Sequence, residues 1–258
     1  MFGLRERRRR KLRAQPMPDA WWRIIERNVP YIRHLCAEDR RELGGIIRIL
    51  LHEKRFEGCG GLTMTEEIRV TIAAQAAVLL LHRDTGYYPT LRSILVYPRA
   101  YIARAKQMLP DGSIVEGHQS RLGESWFRGS LVLSWADVLA GAHDPDDGKN
   151  VVFHEFAHQL DGESGVMDGG PAHIERARYR DWARVLGAEY AGLNAALDRG
   201  EQSLIDAYGA TNPAEFFAVV TELFFERPVD TRRRYPELYA EFARFYQQDP
   251  AACLEPAG

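Results

Sequence analysis

No stretch of the chain stays apolar for the ~18 residues that a membrane-spanning helix needs. The nearest candidate, Ile72 to Leu81, is shorter and carries Gln75, so a soluble protein without a membrane anchor is expected. Cysteine is scarce. Cys36, Cys59 and Cys253 are odd in number and lack metal-ligand or redox spacing, which argues against a disulfide framework. The N-terminus "MFGLRERRRRKLRAQPMPD" is basic as a signal peptide is, but Gln15, Pro16, Pro18 and Asp19 stand where its apolar stretch should follow. Export is unsupported, and a cytoplasmic location is the expectation. There is no internal repeat and no long low-complexity segment. What remains is a chain of 258 residues, 45% hydrophobic, long enough for a substantial core as one large domain or as a domain with a helical extension.

Charge is unevenly placed. Residues 1–13 hold seven Lys or Arg and one Glu, a net +6, which leaves −8 for the rest of a chain whose formal charge is −2. Such a stretch can contact nucleic acid, anionic lipid or an acidic partner. No aromatic interleaving or nucleic-acid motif accompanies it, so residues 1–18 read as a flexible, solvated arm, and direct nucleic-acid binding is not expected.

The first third after the arm reads as helical. "DAWWRIIERN" (19–28), "AEDRRELGGIIRILLHEKRF" (37–56) and "TEEIRVTIAAQAAVLLLHRD" (65–84) carry helical periodicity, the last opened by Thr63 and Glu66 at capping-box spacing. Beyond "TGYYP" the pattern changes. "SILVYP" (93–98) and "SLVLSW" (130–135) are short β-branched runs bounded by Gly, Pro or Ser and read as strands. "HDPDDGKN" (143–150) is a loop. Helices resume over 175–197, 213–226 and 236–250. Strands in the middle with helices on both sides predict an α+β fold: a helical region over 19–88 and a catalytic unit over 89–258.

The motif that carries chemistry lies in "VVFHEFAHQLDGE" (151–163). With 8 His among 258 residues, His-Glu-any-any-His is expected about 0.02 times in a shuffled chain, a low rate for a pattern with a known mechanism. Residues four apart share a helix face, so His154 and His158 can present nitrogens to one metal, with Glu155 set to the side where it meets a water. The apolar run around them, Asn150 as N-cap and Gly162 as stop favour a helix. A catalytic zinc takes three protein ligands, so a third is needed. Asp161 shares the histidine face but lies about 10 Å of rise from His154, too far for both to bind one ion. It reads as an acceptor orienting an imidazole, or as a helix-end residue with no role. Helix 213–226 is apolar around most of its circumference and must be buried, yet Glu215 and Glu222 lie seven apart on one stripe. A buried carboxylate is costly unless paired or metal-bound, so either is a candidate ligand. Glu215 also fits a capping box with Asn212 and Pro213, which would explain it without metal.

The segments "IAAQAAVLLL", "ILVYP", "GESWFRGSLVLSW", "GKNVVFHEFAHQLDGESG", "YGATNPAEFFAVVTELFFERP" and "PELYAEFARFYQQDP" together resemble the Mlc titration factor A family of bacterial zinc peptidases, from about Trp21 to Pro250. That family is similar in turn to the catalytic domain of anthrax lethal factor. The resemblance implies a zincin-like, gluzincin-type unit with one Zn2+ per chain held by His154, His158 and Glu215. It implies Glu155 as the catalytic glutamate and gives Tyr208 a role as donor to the developing oxyanion. Asp161 and Glu222 remain candidates for orienting the ligands. It further implies aminopeptidase-like cleavage of short peptide substrates and a part in transcription regulation, through binding a sugar-uptake repressor of the Mlc type. The alternative is a regulatory binding protein that sequesters such a repressor and has little peptidase activity of its own; an intact Glu155 favours the enzyme, since a pure binder has no need of it. The other histidines, His34, His52, His82, His118, His143 and His173, have no ligand spacing and read as surface or locally bonded residues.

Overall fold

The computed structural model describes residues 2–84, 86–99, 105–108, 114–117, 129–171, 174 and 177–254. Their order is α1 (Phe2–Arg13), α2 (Asp19–Asn28), α3 (Ala37–Glu53), β1 (Arg55–Gly58), α4 (Glu66–Val78), β2 (Ser93–Tyr97), β3 (Ala105–Met108), β4 (Ile114–Gly117), β5 (Ser130–Ser134), α5 (Trp135–His143), α6 (Val151–Asp161), α7 (Tyr179–Asp198), α8 (Pro213–Glu226), α9 (Pro228–Arg234), α10 (Pro236–Tyr246) and α11 (Pro250–Leu254). Four of the last five helices begin on a proline, whose fixed φ suits the first helical position and whose missing N–H costs nothing there. The fold is mostly helical with a small parallel sheet in the order β1-β2-β5, and β3 and β4 form a separate antiparallel pair. This is consistent with the α+β expectation.

Alternation explains how the sheet joins the core. Ile94 and Val96 of β2 pair in register with Leu131 and Leu133 of β5, and all four are buried on one face. β5 packs on α6, and among the described residues it has no partner on its outer edge. One continuous core runs from Ile25 to Ala251, and β1 pairs with β2, so sheet and core cross the boundary expected between residues 88 and 89. β1 escapes a reading by pattern because "RFEG" is four residues long and shows no apolar alternation.

The basic stretch expected as a flexible arm is instead the helix α1, docked on α3. Arg9 is 7% exposed. Its Nε and Nη2 donate to the two carboxylate oxygens of Glu53 at 2.8 and 2.9 Å, and Nη2 also donates to the Gly86 carbonyl at 3.0 Å. Arg5 adds a third bond to Glu53 at 2.7 Å. This is the paired-fork geometry in which an arginine is held most firmly. Burial alone would raise the Glu53 carboxyl, but the arginine bonds outweigh it and hold the group at about 2.

Two local expectations shift. α4 is capped by Thr65, whose hydroxyl accepts from Ile68 N at 3.3 Å, and not by Thr63; it ends at Val78, short of Asp84. α6 ends at Gly162 as expected, but Gly162 keeps an ordinary right-handed conformation (φ −71°) and continues into a 3-10 turn over Gly162–Ser164. The left-handed stop is Gly165, at φ 88°. No described helix is long and apolar enough to cross a membrane.

Candidate metal centre

The centre is built where α6 crosses α8. α6 starts at Asn150, whose Oδ1 accepts from Val152 N and Phe153 N at 3.0 Å each. α8 starts at Asn212, whose side chain accepts from Glu215 N at 3.0 Å, with Pro213 in the first turn. Glu215 therefore occupies the third helical position as its capping pattern requires, and that position also points it at α6. The two helices are locked by aromatic packing. Phe153 and Phe225 lie 5.3 Å apart between ring centroids, and Tyr31 meets both edge-on at 5.9 and 6.0 Å. Burying side chains of this size contributes roughly 1.5–3 kcal/mol each, enough to offset the desolvation of the acids on the same helices only if those acids find partners.

They do. His154 Nε2 lies 3.0 Å from Glu215 Oε2, His158 Nε2 lies 3.2 Å from the same oxygen, and the two Nε2 atoms are 3.2 Å apart. Three lone-pair donors thus converge on one point, an arrangement that repels itself unless a proton or a cation sits among them. Two ligands on a tetrahedral ion with bonds of 2.0–2.1 Å are separated by about 3.3 Å, close to the spacings found here. Two imidazoles and one carboxylate are also a donor set that zinc accepts, and among the described residues this is the cluster of His, Cys, Asp and Glu able to hold a metal ion. The residues fit such an ion.

Around this triplet the other acids are sorted by position. Glu222, one stripe further along α8, accepts from His154 Nδ1 at 2.7 Å and from the backbone N–H of Asn150 at 2.6 Å. It thereby fixes the proton of His154 on Nδ1 and leaves Nε2 to the cluster. Glu155 is 1% exposed, with Oε2 buried and without a hydrogen-bond partner among the described residues. Burial pushes its carboxyl up to about 8, with the charges of Glu215 and Glu222 adding and His154 opposing. Burial works against protonation of His154, yet its bonds to Glu215 and Glu222 raise it to about 10, whereas burial takes His158 down to about 4. Glu215 is held at about 2: burial would raise it, and the two histidine bonds win.

Tyr208 stands on a 3-10 turn (Ala207–Ala210) at the mouth, 53% exposed, its ring centroid 5.9 Å from that of His154. Asp206 holds this turn by accepting from Tyr208 N at 2.9 Å and pairs with Lys149 at 3.3 Å, tying the turn to the start of α6. Asp161 is fully buried and accepts from Gly169 N at 2.9 Å; the carboxylate that orients His154 is Glu222. Gly169, at φ +76°, passes so near the start of α8 that an added Cβ would lie 2.7 Å from the Pro213 carbonyl.

Sequence reasoning missed Glu226. It accepts from Asn150 Nδ2 at 3.0 Å, and burial pushes its carboxyl up to about 9. The signal was available, since 215, 222 and 226 share a helical stripe. Among the remaining histidines, His82 pairs with Asp39 at 2.9 Å and His52 lies 3.5 Å from Arg8; His118 and His173 fall outside the described residues.

A donor set of two imidazoles and one carboxylate on paired helices is one that metallopeptidases use, and comparison with known proteins gives the family. The sequence model of the family described as glucose-regulated metallo-peptidase M90 matches residues 4–247, and the chain belongs to that family. The match begins within α1, so the family pattern includes the basic helix and reaches N-terminal of Trp21, where the resemblance read from the sequence began. An uncharacterized protein of Synechocystis is 40% identical over 251 residues, 96% of this chain and 89% of its own. The Mlc titration factor A proteins of Yersinia pestis and Yersinia pseudotuberculosis are 32% identical over 232 residues, 88% of this chain and 84% of theirs.

Proposed function

We propose that this protein is a zinc-dependent peptidase with a zincin-like, gluzincin-type catalytic unit, acting on short peptides in an aminopeptidase-like manner. The observation that carries the reading is the convergence of His154 Nε2, His158 Nε2 and Glu215 Oε2 within 3.0–3.2 Å, beside a buried Glu155. These three residues would hold the ion, which supplies Lewis-acid polarisation of the scissile carbonyl and of a water molecule near neutral pH. Glu155 takes the proton from that water and delivers it to the leaving amine. Tyr208, at the mouth with its hydroxyl already directed at Glu215, donates a hydrogen bond to the oxygen on which negative charge develops. Glu222 keeps His154 in the tautomer the cluster needs. The outer edge of β5, unpaired among the described residues, offers an extended peptide a strand to pair with; unchanged peptide binding in a folded Val132→Pro variant would remove that element.

The names of the Yersinia relatives favour a second role, binding a transcriptional repressor of the Mlc type, which would put the protein to work in the cytoplasm. Both roles are compatible on one chain. The deciding measurement is zinc content together with hydrolysis of aminoacyl and short-peptide chromogenic substrates, in wild type, Glu155→Gln and Tyr208→Phe. One zinc per chain in all three is expected, with turnover in Glu155→Gln reduced about 10²–10⁴-fold and a smaller loss in Tyr208→Phe. Zinc bound by every variant with no turnover in any would favour the repressor-binding role over catalysis. Full zinc in Glu215→Ala would remove that residue from the ligand set.

A further inference from the structure

Away from the metal centre, a cavity of about 220 Å³ opens at the N-terminus of α7. Arg83, Arg178 and Arg244 line it, together with Trp182, Glu241 and Phe245. The charges do not balance. Glu241 is the partner of both outer arginines, accepting from Arg178 Nη2 with both oxygens at 3.1 Å and from Arg244 at 2.8 Å. Asp84 also borders the cavity, which leaves, among the described residues, three guanidiniums against two carboxylates. Arg83 is the one left over. Its half-buried guanidinium lies 4.2 Å over the ring of Phe245, forms no ion pair among the described residues, and has an Nη1 that is sealed from solvent without an acceptor. Burial pushes this group down from its ordinary value.

A cation withdrawn from water without a directly bonded counter-charge is costly, and stacking on one aromatic ring together with the more distant charge of Glu163 offsets only part of that. The start of α7 adds positive potential, since its N-cap Arg178 makes no side-chain cap hydrogen bond, and Asp181 in the first turn offsets only part of it. We propose that this cavity is a binding site for a small oxyanion, a carboxylate or phosphate group seated between Arg83 and the Arg178–Arg244 pair. Guanidinium forks match both groups in geometry. The volume lies below the ~300 Å³ at which sites for larger organic ligands begin, so the ligand is a compact anion or the anionic end of a longer molecule. Its seat is also connected to the metal helix: Trp182 Nε1 donates to Gly169 O at 2.8 Å, and Gly169 N donates to Asp161 at the end of α6.

The test titrates the full-length zinc-loaded protein with inorganic phosphate and, separately, with succinate, against sodium chloride of matched ionic strength, read by calorimetry and by thermal unfolding. Arg83→Met keeps an apolar stem over Phe245 and removes the charge; Arg244→Gln removes a charge at the more exposed side of the seat, together with its bond to Glu241. Saturable binding and a ligand-dependent rise in Tm are expected in wild type, with affinity about tenfold or more weaker in Arg83→Met and measurably weaker in Arg244→Gln. Which of the two anions saturates at lower concentration identifies the group. If Arg83→Met does not fold, the Arg244→Gln result decides. Binding no better than chloride, or equal in wild type and a folded variant, would overturn the proposal. So would binding that survives in Arg83→Met and disappears when zinc is removed, since the anion would then sit at the metal centre.

Discussion

Glu222→Ala tests the architecture of the centre without touching any of the three converging donors. The carboxylate makes two short bonds, 2.7 Å from His154 Nδ1 and 2.6 Å from Asn150 N, and both are to groups that the alanine leaves buried. Hydrogen bonds to a charged partner are worth about 1.5–3 kcal/mol each, so the pair sets an upper limit of roughly 3–6 kcal/mol. Removing a buried acid also removes its desolvation cost, and water entering the space left by the side chain recovers part of the rest. The expected loss of folding stability is therefore about 2–3 kcal/mol. Zinc affinity should fall about 10–100-fold, because His154 loses the group that selects its tautomer and ring angle. Glu222→Gln should lie between: its carbonyl oxygen still accepts from His154, but its amide meets the Asn150 N–H as donor against donor. Competition for zinc against a chelator of known affinity gives the first quantity, and urea denaturation of the zinc-free proteins gives the second. A folded Glu222→Ala variant with wild-type zinc affinity would refute the idea that α8 orients His154.

Two further outcomes follow from the fold. Glu53, held at about 2 against an ordinary ~4.3, adds stability that is fully present above pH ~4.5 and lost as pH falls toward 2, at most roughly 3 kcal/mol; Glu53→Gln should be less stable at neutral pH and should lack that acid-side loss, and pH profiles of chemical denaturation that run parallel for the two proteins would contradict the docking of α1 through Arg9. Gly169→Ala should cost about 1–3 kcal/mol and weaken zinc retention, because its Cβ would press on Pro213 just ahead of Glu215, whereas Gly192→Ala on the open face of α7 should stabilise by up to about 1 kcal/mol in the same denaturation assay.

Much of the centre was legible because helix geometry is local. The four-residue spacing of His154 and His158 and the caps at Asn150 and Asn212 are short-range patterns, and the structure builds the helices on them. Spacing within α8 could not separate Glu215 from Glu222, since both lie on the stripe facing α6. What separates them is where that stripe crosses the histidines, a relation between two helices set by the aromatic core. The same limit explains α1. A run of arginines looks solvated until Glu53, 44 residues away, is brought beside Arg9. Asp161 drew attention for its place on the histidine face, but a buried carboxylate takes the nearest strong donor, here the backbone of Gly169.

The two bonds of Glu222 give the interface between α6 and α8 an unusual tolerance profile. One side chain fixes both where α6 begins and how its first histidine is turned, so sliding or rotating either helix disturbs entry and aim together. Ordinary cores absorb exchanges among Phe, Leu and Met by small shifts of their helices. Here such shifts are measured against hydrogen bonds of 2.6 and 2.7 Å that tolerate only about a few tenths of an ångström. Laboratory evolution for thermostability should therefore accumulate changes readily in α1 to α3 and on the outer face of α7, and reject even volume-neutral exchanges at Phe153 and Phe225, where the scaffold serves as the ruler for its own chemistry.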